Sequence, residues 1–176
     1  MIVTPTELPE VRVVEIEPLE DERGFFARAW DADALPAAGA RAGFVQANVA
    51  YNRRAGTVRG LHYQAPPHAE AKLVRCTRGA MWDVAVDVRP DSPTRLRWVA
   101  VELSAENRRA VYIPEGFAHG YQTLSDDTET LYEVTARYAP DAERGLRWDD
   151  PAIGILWPAA AERTVSAKDR AWPLIG

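Results

Sequence analysis

The stretch Met81-Trp82-Asp83-Val84-Ala85-Val86-Asp87-Val88 decides the fold class. A strand turns successive side chains to opposite faces, so Trp82, Val84, Val86 and Val88 share one face and Asp83, Ala85 and Asp87 the other. The same strand character recurs on both sides of it. Runs rich in β-branched or aromatic residues occupy 11–16, 44–49, 58–64, 72–76, 97–103, 110–113 and 129–135. Turn chemistry separates them at Arg78-Gly79, Pro90-Asp91-Ser92-Pro93, Pro114-Glu115-Gly116 and Ser125-Asp126-Asp127. Helical signals are confined to 32–38, a turn at 104–107 and the C-terminus. Many short strands joined by turns make an all-β antiparallel sandwich or barrel, and a jelly roll with a few short helices is the expected form. Such a barrel can enclose a ligand cavity.

A chain of 176 residues makes one domain, 1–176, able to bury about two-thirds of the surface its unfolded form exposes. No apolar run approaches the roughly 20 residues of a membrane span, and Met1 to Glu7 lacks the basic and apolar segments of a signal peptide. A cytoplasmic protein without membrane contact is therefore expected. The single cysteine, Cys76, cannot form an internal disulfide, which agrees with a reducing compartment. A net charge of -5 argues against a nucleic-acid partner, which calls for a basic excess. Of 21 basic residues only Lys72 and Lys168 are lysines. Genome composition alone produces such a bias, but forked guanidinium groups also suit bidentate recognition of phosphate or carboxylate.

Only three histidines occur. His62 lies in Arg59-Gly60-Leu61-His62-Tyr63-Gln64, where strict alternation puts Arg59, Leu61 and Tyr63 on one face and Val58, Gly60, His62 and Gln64 on the other. Gly60 leaves room for a close approach to the backbone beside His62. His119 lies in Ile113-Pro114-Glu115-Gly116-Phe117-Ala118-His119-Gly120, where proline and glycine set a turn and His119 starts a new strand at a barrel mouth. The spacing P-x-G-x-x-H resembles the second motif of cupins. A cupin metal site draws further ligands from H-x-H and a glutamate, whereas here Gln64 follows His62 and His68 sits in the turn-like Pro66-Pro67-His68. Two histidines without a placed carboxylate fall short of the usual three-ligand set, so no metal is expected. Lys72, within an apolar run, either snorkels or places a fixed charge in a polar cavity, where it suits a phosphate or a developing oxyanion. Tyr132, at a strand centre, is either a core aromatic or a proton donor with a reference pKa of about 10.

Taken together, Asp21-Glu22-Arg23-Gly24-Phe25-Phe26, the Phe44 to Asn48 run, the His62 and His119 motifs, Lys72-Leu73-Val74-Arg75, Asp83 to Asp87, Leu103 to Asn107, Asp149-Asp150-Pro151, Trp157-Pro158 and Ser166-Ala167-Lys168-Asp169 resemble the dTDP-4-dehydrorhamnose 3,5-epimerase family over nearly the whole chain. The resemblance implies a cupin-type jelly roll, a homodimer, and a cofactor-free reaction on a nucleotide-diphosphate-linked 4-keto-6-deoxyhexose. C3 and C5 of that sugar flank the C4 ketone, so their protons are acidic if the enolate is stabilised. On the family's pattern His62 is the base, paired with Asp169. Lys72 stabilises the enolate with His119 beside it, and Tyr132 returns a proton from the opposite face. Arg23, Phe26, Arg28, Gln46, Asn48, Arg59, Glu143 and Lys168 fall on substrate-binding positions, and Tyr138 on an aromatic that stacks on the base. Three departures stand out: Arg28 replaces a glutamate, Gln46-Ala47-Asn48-Val49-Ala50 replaces a Q-D-N-H-S pattern, and Tyr121 replaces a phenylalanine. The reversed charge at Arg28 leaves open which nucleotide is bound. Mono-epimerases of C3 or C5, with dTDP, CDP or GDP, fit the same residues. From other classes, a metal-dependent cupin enzyme and a non-catalytic nucleotide-sugar module are the alternatives.

Overall fold

The two faces of the central strand part as its alternation requires. Trp82, Val84 and Val86 point outward into a cluster with Leu61, Ala118 and Ile153, while Met81 and Ala85 point inward to Val74, Val111, Ile113 and Phe117. A computed structural model describes residues 1–175. In chain order its strands are β1 (Ile2–Pro5), β2 (Arg12–Glu15), β3 (Leu19–Asp21), β4 (Gly24–Phe26), β5 (Gln46–Asn52), β6 (Thr57–Gln64), β7 (Lys72–Arg78), β8 (Ala80–Asp87), β9 (Trp98–Ser104), β10 (Ala110–Ile113), β11 (Phe117–Thr123), β12 (Thr128–Val134), β13 (Glu143–Gly145) and β14 (Thr164–Val165). Two single-turn helices, α1 (Ala34–Ala37) and α2 (Ala167–Arg170), accompany them.

One sheet runs β1-β2-β10-β7-β12-β5 and the other β13-β6-β11-β8-β9, with β14 added parallel to β6. The hairpin of β3 and β4 stands apart from both. This is the expected cupin-type jelly roll. Its core fills the space between the sheets, and each outer face is covered in turn. Leu35, Trp30 and Phe44 pack over Val14, Leu73 and Tyr112 on one side, and Leu146, Ile155 and Trp157 over Val84 and Val86 on the other. No helix among the described residues is long and apolar enough to cross a membrane.

Three local expectations are corrected. The helix read over 32–38 shrinks to one turn, because the chain breaks at Gly39, whose φ of 78° closes a Schellman turn with Gly39 N bonding the Pro36 carbonyl and Ala40 N the Leu35 carbonyl. His119 does not start a strand: β11 begins at Phe117, which places His119 inside the sheet. The faces of β6 also differ from strict alternation. His119 pairs with His62 and Tyr121 with Arg59, so two steps on β11 span three on β6. This β-bulge turns Arg59 to the same wall as His62, while Leu61 stays with Tyr63 in the outer cluster as alternation requires.

Gly60 makes the bulge possible. Its φ is 122°, and a Cβ there would lie 2.5 Å from Gly120 Cα and 2.8 Å from His119 O. The close approach read from the sequence is thus made by the β11 backbone itself. Since neither partner atom belongs to a flexible side chain, Gly60→Ala is expected to cost about 2–5 kcal/mol from strain and overpacking. Thermal unfolding would show this as a fall in Tm of about 5–15 °C.

Candidate active site

A cleft of about 450 Å³ lies between the sheets, with His62, Lys72, His119, Tyr132 and Asp169 in its walls. A recess of about 150 Å³ adjoins it and shares His62, Lys72 and Tyr132. His62 on β6 and His119 on β11 belong to one sheet, and Lys72 on β7 and Tyr132 on β12 to the other. Imidazoles and phenol therefore approach a bound molecule from opposite walls.

His62 Nε2 meets Asp169 Oδ1 at 2.6 Å. Asp169 is held at the start of α2, where its amide donates to Ser166 Oγ at 3.0 Å, and its Oδ2 accepts from the Gly60 amide at 3.3 Å. Burial pushes the Asp169 carboxyl up, but the His62 hydrogen bond and charge, with the Gly60 and Ser166 bonds, outweigh it and hold the group below its ordinary value. An acid whose folded value is lowered stabilises the fold above its unfolded value and loses that contribution as pH falls through the folded one. The carboxylate is accordingly charged throughout the neutral range. A buried carboxylate on one ring nitrogen fixes the imidazole tautomer and supports the cation formed when the other nitrogen takes a proton.

His119 forms a second pair, with Nε2 at 2.8 Å from Asp83 Oδ2. Asp83 is buried and its Oδ1 has no partner, so desolvation pushes its carboxyl up against the pull of His119. Lys72 is buried too, 3.3 Å from Glu70 and within 3.4 Å of the His62 carbonyl. The cavity reading of this lysine is the one realised. Burial, with Tyr121 and Glu70 nearby, raises the Tyr132 phenol above its ordinary value, which keeps its proton in place at neutral pH.

Around the mouth, Arg59 Nε donates to Asn52 Oδ1 at 2.8 Å and Nη2 to the Tyr51 carbonyl at 3.3 Å. Lys168 Nζ reaches Glu143 Oε1 at 2.5 Å, and the Tyr138 hydroxyl donates to Glu143 Oε2 at 3.0 Å. The Tyr138 amide donates to Gln46 Oε1 at 2.7 Å, and Gln46 and Asn48 line the recess. Three sequence candidates lie elsewhere. Arg23 is paired with Asp21 on the β3–β4 hairpin, Phe26 is 70% exposed there, and Arg28 pairs with Asp31 at 3.0 Å. None of them lines this chain's cleft.

The sequence reading missed Asp83, Glu70 and Trp172 as parts of the site. Alternation had put Asp83 on the inner face of β8, and that was its signal. Glu70 follows a turn and carries none. Trp172 stands edge-on to His62 with ring centroids 6.5 Å apart, seated on Gly145, the residue opposite His62 in β13. A Cβ on Gly145 would lie 2.2 Å from the indole Cε2, so only glycine leaves this seat.

A cupin-type jelly roll with an imidazole–carboxylate pair on one wall and a phenol on the other offers a proton acceptor and a proton donor across one cleft, a set suited to an isomerase. The sequence profile described as dTDP-4-dehydrorhamnose 3,5-epimerase matches residues 5–176. The chain belongs to the dTDP-4-dehydrorhamnose 3,5-epimerase family. It is 48% identical over 166 residues to the Sinorhizobium fredii dTDP-4-dehydrorhamnose 3,5-epimerase, spanning 94% of this chain and 85% of that one. The Bacillus anthracis dTDP-4-dehydrorhamnose 3,5-epimerase, solved with TDP and PPi bound, superposes with a TM-score of 0.93 at 40% identity, covering 99% of each chain. The Legionella pneumophila dTDP-6-deoxy-D-glucose-3,5-epimerase, in complex with dTDP-4-keto-L-rhamnose, gives 0.92 at 38% identity, covering 98% of this chain and 92% of that one.

Proposed function

We propose that the protein converts dTDP-4-dehydro-6-deoxy-D-glucose to dTDP-4-dehydro-L-rhamnose, with the following division of labour. His62, oriented by Asp169, removes a proton from the carbon beside the C4 ketone. The electron pair moves onto the ketone oxygen, where the Lys72 ammonium stabilises the enolate with His119 beside it. Tyr132 then delivers its proton to the opposite face of that carbon as the pair returns from the oxygen, which inverts it; exchange with water returns a proton to Tyr132 and removes one from His62, and the same sequence runs at the second carbon. The single observation that carries this reading is the seating of His62, backed by Asp169 from α2, and Tyr132 on facing sheets across one cleft.

Arg59 and Lys168 offer charge to the diphosphate, with Gln46, Asn48 and Glu143 as polar contacts and Tyr138 as the ring for the base. We also place the protein as a homodimer. Leu19, Phe25 and Phe26 leave an exposed apolar patch on the β3–β4 hairpin, which also carries Arg23. A second copy that received this hairpin would gain Arg23 and Phe26 at its cleft, with Arg28 close behind.

Turnover in deuterated water tests the assignment, with dTDP-, CDP- and GDP-linked 4-keto-6-deoxyhexoses compared and the assembly read by sedimentation. Solvent deuterium at C3 and C5 of the dTDP sugar is expected. Label at one carbon only would reassign the protein as a mono-epimerase, and preference for CDP or GDP would point to Arg28. No label in any of the three sugars overturns the reading.

A further inference from the structure

Tyr121 lies two residues beyond His119 on β11, and none of the steps above uses it. It is buried, it lines the cleft, and its ring centroid lies 6.2 Å from that of His119. Its hydroxyl accepts from Asn52 Nδ2 at 3.2 Å and lies 3.4 Å from Asn52 Oδ1. Asn52 is itself buried, its amide also held by the Thr128 carbonyl at 3.2 Å. Its oxygen takes the Arg59 Nε bond at 2.8 Å.

A continuous chain of contacts thus runs from β11 of one sheet, through β5 of the other, to the guanidinium on β6. Phenylalanine at 121 would fill the same volume and leave Asn52 without one buried partner. An asparagine amide anchored on both sides presents its oxygen in one orientation, and the Arg59 fork is then set before a ligand arrives. Preorganisation of this kind lowers the ordering cost of binding. Arg59 Nη1 donates to no acceptor among the described residues, which leaves it free for a ligand.

We propose that Tyr121 is a positioning residue that orients Arg59, through Asn52, toward the diphosphate of the nucleotide sugar. The proposal rests on the reading that Arg59 is a diphosphate anchor, and the test separates the two. Titration calorimetry with dTDP is run on the parent, Tyr121→Phe, Arg59→Ala and the double variant, together with steady-state kinetics and Tm. Loss of one hydrogen bond in the relay is expected to weaken dTDP binding about three- to tenfold in Tyr121→Phe. The loss should fall on KM rather than kcat, and the second change should add nothing in the Arg59→Ala background.

If Arg59→Ala binds dTDP as the parent does, the anchor reading falls. If Arg59→Ala is weakened but Tyr121→Phe stays within twofold of the parent, the positioning role is overturned and the anchor stands. Additive losses in the double variant, or a Tyr121→Phe defect confined to kcat, overturn it as well. A fall in Tm alone, with dTDP affinity unchanged, identifies the phenol as structural.

Discussion

A His62→Ala variant is expected to turn over about 10²- to 10⁴-fold more slowly than the parent while binding dTDP with the parent's affinity. The split follows from where the residue sits. The imidazole is at the cleft wall with its Nε2 engaged by Asp169, whereas the proposed diphosphate contacts belong to Arg59 and Lys168 near the mouth. Removing the ring therefore removes the base and leaves the anchors. Deuterium wash-in from solvent should fall by the same factor as turnover, because both begin with the same proton abstraction. A variant that turned over within tenfold of the parent would sink the assignment of His62 as the base.

Tyr132→Phe gives a result of similar size but different form. Epimerised product should again fall about 10²- to 10⁴-fold, since no acid remains on the far wall. Deuterium should nevertheless continue to enter the unreacted sugar. His62 can still remove a proton and return one to the same face, so the carbon exchanges without inverting. Nuclear magnetic resonance of recovered substrate distinguishes the two variants: unlabelled with His62→Ala, labelled but uninverted with Tyr132→Phe. If Tyr132→Phe recovered substrate carried no label, the phenol would be acting in the abstraction step, against the opposed-wall arrangement. Burial raises the Tyr132 phenol further above neutrality, which agrees with the donor role proposed for it.

Most of the fold was legible because its strands are long, β-branched and bounded by turn residues. β8 showed both faces of the sandwich in a single octet, and β7, β9, β10 and β12 lie within a few residues of their expected places. The short strands β3, β4, β13 and β14 were not legible. Two or three residues carry no period, and their pairing is set by tertiary contact with partners far along the chain.

The site was legible where chemistry concentrates in a motif. His62, Lys72, His119, Tyr132 and Asp169 were named from the sequence and its family resemblance, and the fold gathers them around one cleft. What the sequence could not show was the bulge. Alternation predicts that Arg59 and His62 point apart, and only the slipped register against β11 brings them to one wall. Nor could it show that Arg23 and Phe26 stand on the β3–β4 hairpin, with Arg28 just beyond it, away from this cleft, because the three-residue strands of that hairpin carry no period to place it.

His62 and Asp169 are separated by 107 residues, and the carboxylate arrives on the last helix of the chain. Domains emerge from the ribosome N-terminus first. Through most of synthesis the nascent protein can therefore pair its early strands, yet it holds an imidazole with no carboxylate behind it. Premature termination anywhere before residue 169 leaves the same unarmed base. On the proposed assignment of His62 as the base, the pair is completed only when α2 docks against β6, so the return of activity on refolding is expected to follow that docking.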